Sequence, residues 1–216
     1  MSAAWPTLGD KIASLVHHAT PPGGTCRTTR PGWQESDNMT QTTGSERQDQ
    51  AMFQETTIVH GDKPEFYRAL QAQLDGLLAG ESDAIANAAN TSALIFQMLP
   101  DINWAGFYFL QSEEELLLGP FQGKPACVRI AVGRGVCGAA VERAETMLVE
   151  DVHAFPGHIA CDAASRSELV VPLIRDGQVF GVLDLDSPLP GRFDLDDQAG
   201  VEALAQTFIA ASAWDA

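Results

Sequence analysis

Apolar positions fall at helical spacing from Pro64 onward. Phe66, Leu70, Leu74, Leu77 and Leu78 stand at i, i+4, i+8, i+11 and i+12, the stripe of one helix face that Pro64 can open and Gly80 ends. A second helix is expected with Ser82 as its N-cap and a stop at Pro100, its apolar side made by Ile85, Ala88, Ala89, Leu94, Ile95 and Met98. Short aromatic and aliphatic runs then replace the helical period. Residues 104–110, 115–118, 126–132 and 147–149 read as strands, with one short helix over 136–145. Residues 168–175 and 178–186 flank Asp176-Gly177, a two-residue hairpin signal because both central positions of a type I′ turn need positive φ. Asp194 is the N-cap candidate of a last helix carrying Val201, Leu204, Ala205, Phe208 and Ile209. Helices, a strand cluster and a final helix make an α+β domain with an antiparallel sheet. Residues 119–125 and 151–167 fit neither period, and long irregular stretches inside compact domains are commonly functional.

Residues 1–51 differ from the rest. Thr, Ser, Gln, Pro and Gly dominate, no period persists, and the stretch is expected to be a disordered extension or the product of a start assigned too far upstream. Met52 opens the globular segment, 52–216. The 216 residues carry a formal charge of −16, of which residues 1–50 contribute only −1. So acidic a domain repels phosphate backbones and anionic lipid, which excludes nucleic acid and membrane surfaces as partners and favours a cationic or zwitterionic small ligand. No apolar run approaches the roughly 18 residues of a spanning helix, and no export signal is recognisable. A soluble, cytoplasmic protein is expected. Its four cysteines are then core thiols, metal ligands or redox groups rather than permanent disulfides.

Context separates these cysteines. Cys137, within Gly-Val-Cys-Gly-Ala-Ala at a helix start, reads first as a packed small hydrophobe. Cys127 follows a Gly/Pro loop and is expected to begin a strand, and Cys161 lies deep in the irregular segment, where thiols are more often reactive. His153, His158, Cys161 and Cys127 offer metal-ligand chemistry, but they lack the paired spacing of structural zinc sites, so no metal is expected. A second constellation is acidic. On the strand through Phe180 and Val182, alternation puts Asp184 and Asp186 on one face about 7 Å apart, and Glu168 begins the strand that pairs with it. Phe180 and Val182 are expected on the same face, so the carboxylates border an apolar pocket where desolvation makes them hold protons. Such a cluster does not activate a nearby thiol; it favours a substrate made electrophilic by protonation. Trp104 and Tyr108, four apart on a strand, share a face and can wall the pocket.

Asn-Trp-Ala-Gly-Phe-Tyr from Asn103, Leu-Gly-Pro-Phe-Gln-Gly-Lys-Pro-Ala-Cys ending at Cys127, Gly-Arg-Gly-Val-Cys-Gly from Gly133 and Val-Leu-Asp-Leu-Asp-Ser-Pro from Val182 together resemble the free methionine-R-sulfoxide reductases, which are single-domain GAF proteins. The resemblance covers about three quarters of the chain and leaves residues 1–51 unmatched. It implies a GAF-type catalytic domain over 52–216, with helices packed on one face of an antiparallel sheet and the ligand pocket on the other. It further implies a catalytic Cys161, a resolving Cys127 and an auxiliary Cys137. Glu168, Asp184 and Asp186 would contact the amino-acid sulfoxide, and Trp104 and Tyr108 would line the site. Reduction would pass through a sulfenic acid and a disulfide, with no bound cofactor. Thioredoxin, itself recharged by NADPH through thioredoxin reductase, would be the external reductant. A homodimer is the common assembly. The competing expectation is a non-catalytic GAF sensor of small molecules, which would need a separate output protein and leaves three cysteines without a use.

Overall fold

The computed structural model describes residues 62–157 and 163–213. The expectation for residues 1–51 lies outside these residues, as do Cys161 and His158. Among the described residues the order is α1 (Lys63–Leu78), α2 (Ala84–Met98), β1 (Trp104–Ser112), β2 (Glu115–Gly123), β3 (Arg129–Ala131), α3 (Gly135–Arg143), β4 (Met147–Val149), β5 (Ser167–Arg175), β6 (Gln178–Ser187) and α4 (Leu195–Ala211). The six strands form one sheet in the order β3-β2-β1-β6-β5-β4, every pair antiparallel. Among the described residues no helix is long and apolar enough to cross a membrane.

Aspartates set the starts of the three long helices, α1, α2 and α4. Asp62 accepts the Glu65 amide at 2.8 Å, Asp83 the Ala86 amide at 2.8 Å, and Asp194 the amides of Asp196 and Asp197. Each occupies an N-cap, where a carboxylate also meets the positive end of the helix dipole, and caps of this kind are worth about 1 kcal/mol. The cap of α2 is therefore Asp83, not Ser82, because the shorter carboxylate reach from position 83 satisfies the amide three residues on. Asp176 (φ 52°) and Gly177 (φ 77°) both adopt positive φ between β5 and β6, as the hairpin signal requires.

The sheet is apolar on both faces. On one, Ala105, Phe107, Leu169, Val171, Leu173, Leu183 and Leu185 pack against α1, α2 and α4 in a core that includes Leu70, Leu74, Ile95, Leu204 and Phe208. On the other, Trp104, Tyr108, Val170 and Val182 pack with Val136, Cys137 and Ala140 of α3. The three long helices thus cover one face, and the short α3 lies on the other, beside the pocket.

Three expectations change. β2 runs on through Gly-Pro-Phe-Gln-Gly to Gly123, because Phe121, Gln122 and Gly123 pair with Gly106, Ala105 and Trp104 of β1. β3 covers only Leu117 and its two predecessors, so Pro120 sits on an unpaired edge, where a missing N–H is harmless. Correspondingly β3 is three residues long, and Cys127 lies in the coil ahead of it rather than in a strand. Phe180 packs against the helical core, not on the face of the aspartates. A bulge opposite Leu173 and Ile174 shifts the alternation by one residue at that end of β6.

Asp197 clamps α1 to α4. It is 1% exposed and accepts from Tyr67 Oη at 2.8 Å, Lys63 Nζ at 2.5 Å and Arg192 at 3.1 Å. Gly200, one turn further on, lets the Tyr67 ring lie against the helix backbone, since a Cβ there would overlap the ring. Tyr67 is held at its hydroxyl and cannot swing aside. Gly200→Ala is accordingly expected to destabilise the domain by about 1–3 kcal/mol despite the higher helix propensity of alanine, measured as a lowered midpoint in urea unfolding.

Candidate active site

Sheet register assembles the acidic cluster. Trp104, Asp186 and Glu168 stand directly opposite one another across β1, β6 and β5, and in the next row of the same face come Gly106, Asp184 and Val170. The carboxylates therefore occupy two adjacent rows near one end of these strands, on the face that α3 covers. Glu168 is 6% exposed and Asp184 5%, whereas Asp186 is half-buried. The third residue of α3, Cys137, covers them. It is a free thiol, 4% exposed, and donates to Asp184 Oδ2 at 3.3 Å, with Glu168 Oε1 at 3.9 Å.

Burial dominates the electrostatics. It pushes the Glu168 carboxyl well above its ordinary 4.5, and the neighbouring Asp184 and Asp186 charges push it further. Asp184 is likewise raised well above 3.8, by burial and then by Asp186, although Cys137 and Glu168 both donate to it. Both carboxyls therefore hold protons more tightly than free ones do. The Cys137 thiol is raised by burial and by the two carboxyls, so it stays neutral, and Tyr108 is raised for the same reasons.

Aromatic rings form the wall. Trp104 stacks on Tyr108 at 5.9 Å between centroids and on Phe121 at 5.3 Å. Gly106 beneath them admits this stack, because a Cβ there would overlap Phe121 and come within 2.7 Å of Trp104 Cη2. The polar ends of the same rings hold the loop ahead of β3. Trp104 Nε1 donates to Lys124 O at 3.1 Å, and Tyr108 Oη donates to Cys127 O at 3.0 Å. Cys127 is disulfide-bonded. The resulting cavity is lined by Trp104, Tyr108, Cys137, Glu168, Asp184 and Asp186, and also by Lys124, Arg134 and Ser165. It holds about 40 Å³ that a water's centre can occupy, room for a few waters at roughly 10–15 Å³ each.

Of the residues singled out from the sequence, Trp104, Tyr108, Cys137, Glu168, Asp184 and Asp186 converge on this cavity. Cys127 is tied to its rim, His153 is exposed on a 3₁₀ turn, and Cys161 and His158 fall outside the described residues. Gly106, Phe121 and Arg134 were not singled out. Phe121 and Gly106 reach the site through strand register, and only a correct pairing of residues 119–123 with β1 would have found them.

An antiparallel sheet with long helices behind it and a pocket under a short helix is the GAF arrangement, and the GAF-domain family model matches residues 90–211. The free methionine-R-sulfoxide reductase of Escherichia coli is 57% identical over 143 residues, 66% of this chain and 86% of that protein. The enzyme of the same name from Saccharomyces cerevisiae is 45% identical over 67% of this chain and 84% of its own length. The crystal structure of the Neisseria meningitidis free methionine-R-sulfoxide reductase in complex with its substrate superposes with a TM-score of 0.70 at 42% identity, covering 73% of this chain and 94% of that one. The chain belongs to the free methionine-R-sulfoxide reductase family of GAF-domain proteins and is an oxidoreductase.

Because burial raises Glu168 and Asp184 above 4.5 and 3.8, the folded protein binds more protons than the unfolded chain once pH exceeds those values. Their contribution is therefore fully present at acid pH and is lost as pH rises toward the shifted range. Glu168→Gln, which cannot ionise, is expected to flatten this decline. In urea unfolding from about pH 5 to about pH 8, the difference in stability should move steadily in favour of the variant; a difference independent of pH would mean that Glu168 is not shifted.

Proposed function

We propose that this protein reduces free L-methionine-(R)-sulfoxide to methionine, with Cys161 as nucleophile and Cys127 as the cysteine that resolves it. The observation that carries the reading is the proton-holding carboxyl cluster of Glu168 and Asp184, roofed by a neutral thiol and flanked by the loop of a disulfide-bonded Cys127. The relatives named for this activity support it. Sulfoxide reduction consumes two protons and two electrons, and the site supplies the first from its carboxyls and the second from its cysteines.

The ammonium of the amino acid faces Asp184 and Asp186, and the S-methyl group lies against Trp104. A carboxyl donates to the sulfoxide oxygen and makes sulfur electrophilic. The Cys161 thiolate attacks that sulfur and forms an Sγ–S bond; the protonated oxygen then passes from sulfur to Sγ as both the S–O and the Sγ–S bonds break, so that Cys161 becomes a sulfenic acid and methionine leaves with the sulfur lone pair restored. The Cys127 thiolate then displaces the sulfenic oxygen, which leaves as water, and an S–S bond forms between the two cysteines. A dithiol such as thioredoxin, recharged by NADPH through thioredoxin reductase, returns both electrons by exchange. Cys137 serves beside this couple as an auxiliary thiol. Tyr108 acts as a positioning residue, since its hydroxyl holds the Cys127 carbonyl. No bound cofactor is required. The same reading makes the enzyme a cytoplasmic homodimer.

NADPH oxidation coupled through thioredoxin and its reductase tests this with the two epimers of free methionine sulfoxide in parallel. Consumption is expected with the R epimer alone and should be abolished in Cys161→Ser. Turnover of the S epimer, or a Cys161→Ser variant that retains substantial activity, would overturn the reading.

A further inference from the structure

The thiol and carboxyls under α3 also have the composition of a soft-metal site. Cys137 Sγ, one oxygen of Glu168 and one of Asp184 lie within 4.8 Å of one another, and all three residues are at least nine-tenths buried. Tetrahedral zinc with Zn–S near 2.3 Å and Zn–O near 2.0–2.2 Å sets its ligand atoms about 3.5 Å apart. The observed Sγ separations are 3.3 Å to Asp184 and 3.9 Å to Glu168. Independently of the cluster, Asp184 Oδ1 is buried without a hydrogen-bond partner, on a residue that lines the cavity. Such an orphaned acceptor is costly in an apolar setting and marks a place for a cationic ligand.

We infer that Cys137, Glu168 and Asp184 bind one Zn²⁺ ion as a reversible inhibitory site within the substrate pocket. The three side chains supply three corners of a tetrahedron. The fourth faces the cavity, where water or Asp186 completes it. One thiolate and two carboxylates suit a borderline-soft cation and disfavour Ca²⁺ or Mg²⁺, which prefer six or more oxygen ligands. As the Zn–S bond forms, the thiol and Glu168 protons leave to solvent, and the dication takes the place of those protons. An occupied site leaves neither Glu168 nor Asp184 to donate to a sulfoxide and withdraws Asp184 from the ammonium, so zinc and substrate exclude one another. The site is distinct from the Cys127 couple, because Cys137 stays a free thiol while Cys127 is disulfide-bonded.

Co²⁺ is the spectroscopic probe, added to the full-length protein in its disulfide form and then displaced by Zn²⁺. The expected result is one equivalent of Co²⁺ giving a near-ultraviolet thiolate-to-cobalt charge-transfer band, abolished by Zn²⁺ but not by Mg²⁺. The band should be lost in Cys137→Ser and retained in Cys26→Ser. Asp184→Asn, which leaves the thiol in place, should weaken Zn²⁺ binding at least about ten-fold. Circular dichroism checks that each variant is folded. A band that survives in Cys137→Ser, Zn²⁺ affinity unchanged in Asp184→Asn, or no thiolate band at all would overturn the inference. None of these readouts depends on turnover, so failure of the zinc site and failure of the reductase reading are distinguishable.

Discussion

The contact of Cys137 with Asp184 and Glu168 is the constraint around which the site is organised. It joins α3 to the two longest-paired strands of the sheet, across 47 and 31 residues of sequence, and it is made between buried side chains. Three acids so placed cannot all ionise, and like-charge repulsion added to desolvation keeps protons on them. A pocket loaded with protons suits a reaction that consumes them. It is equally unsuited to a nucleophilic thiol, since Cys137 itself is held neutral. The function proposed above accordingly gives the nucleophilic role to a cysteine other than Cys137. On that proposal, proton donation and electron donation are divided between the sheet and other cysteines.

The fold makes that division by giving its two sheet faces different work. Stability resides mainly in the face covered by α1, α2 and α4, where most of the fully buried leucines and phenylalanines lie and Asp197 fixes α1 to α4. The opposite face can then carry unfavourable groups. The pH-dependent cost of the buried carboxyls is borne by a core that does not include them. Ring stacking over Gly106 closes the pocket laterally, and the two rings that do so also hold the loop carrying Cys127. The pocket wall and the position of Cys127 are in this way coupled through Trp104 and Tyr108.

Periodicity revealed the helices and the hairpin because those depend on neighbours three, four or two residues away. Phe66 to Leu78 and Asp176-Gly177 carry their structure locally. The extension of β2 was hidden because Gly-Pro-Phe-Gln-Gly has poor strand propensity and is held straight by backbone pairing with β1. Phe180 was misplaced because a bulge leaves no mark in an otherwise alternating run. The acidic cluster was legible from the spacing of Asp184 and Asp186 and from the pairing of Glu168. Cys137 was not: among glycines and alanines it reads as packing, and only the tertiary approach of α3 to the sheet reveals its carboxyl partners. The roles of Cys161 and Cys127 came from family resemblance, not from any local pattern.

The infrared spectrum of the oxidised protein at neutral pH tests most directly whether this cluster holds its proton. If it does, a carbonyl stretch of a neutral carboxylic acid is present in the wild type, shifts in D₂O and is absent from Glu168→Gln. Carboxylate bands alone, with no neutral-acid stretch to lose, would contradict it and would leave the sulfoxide without its proton donor.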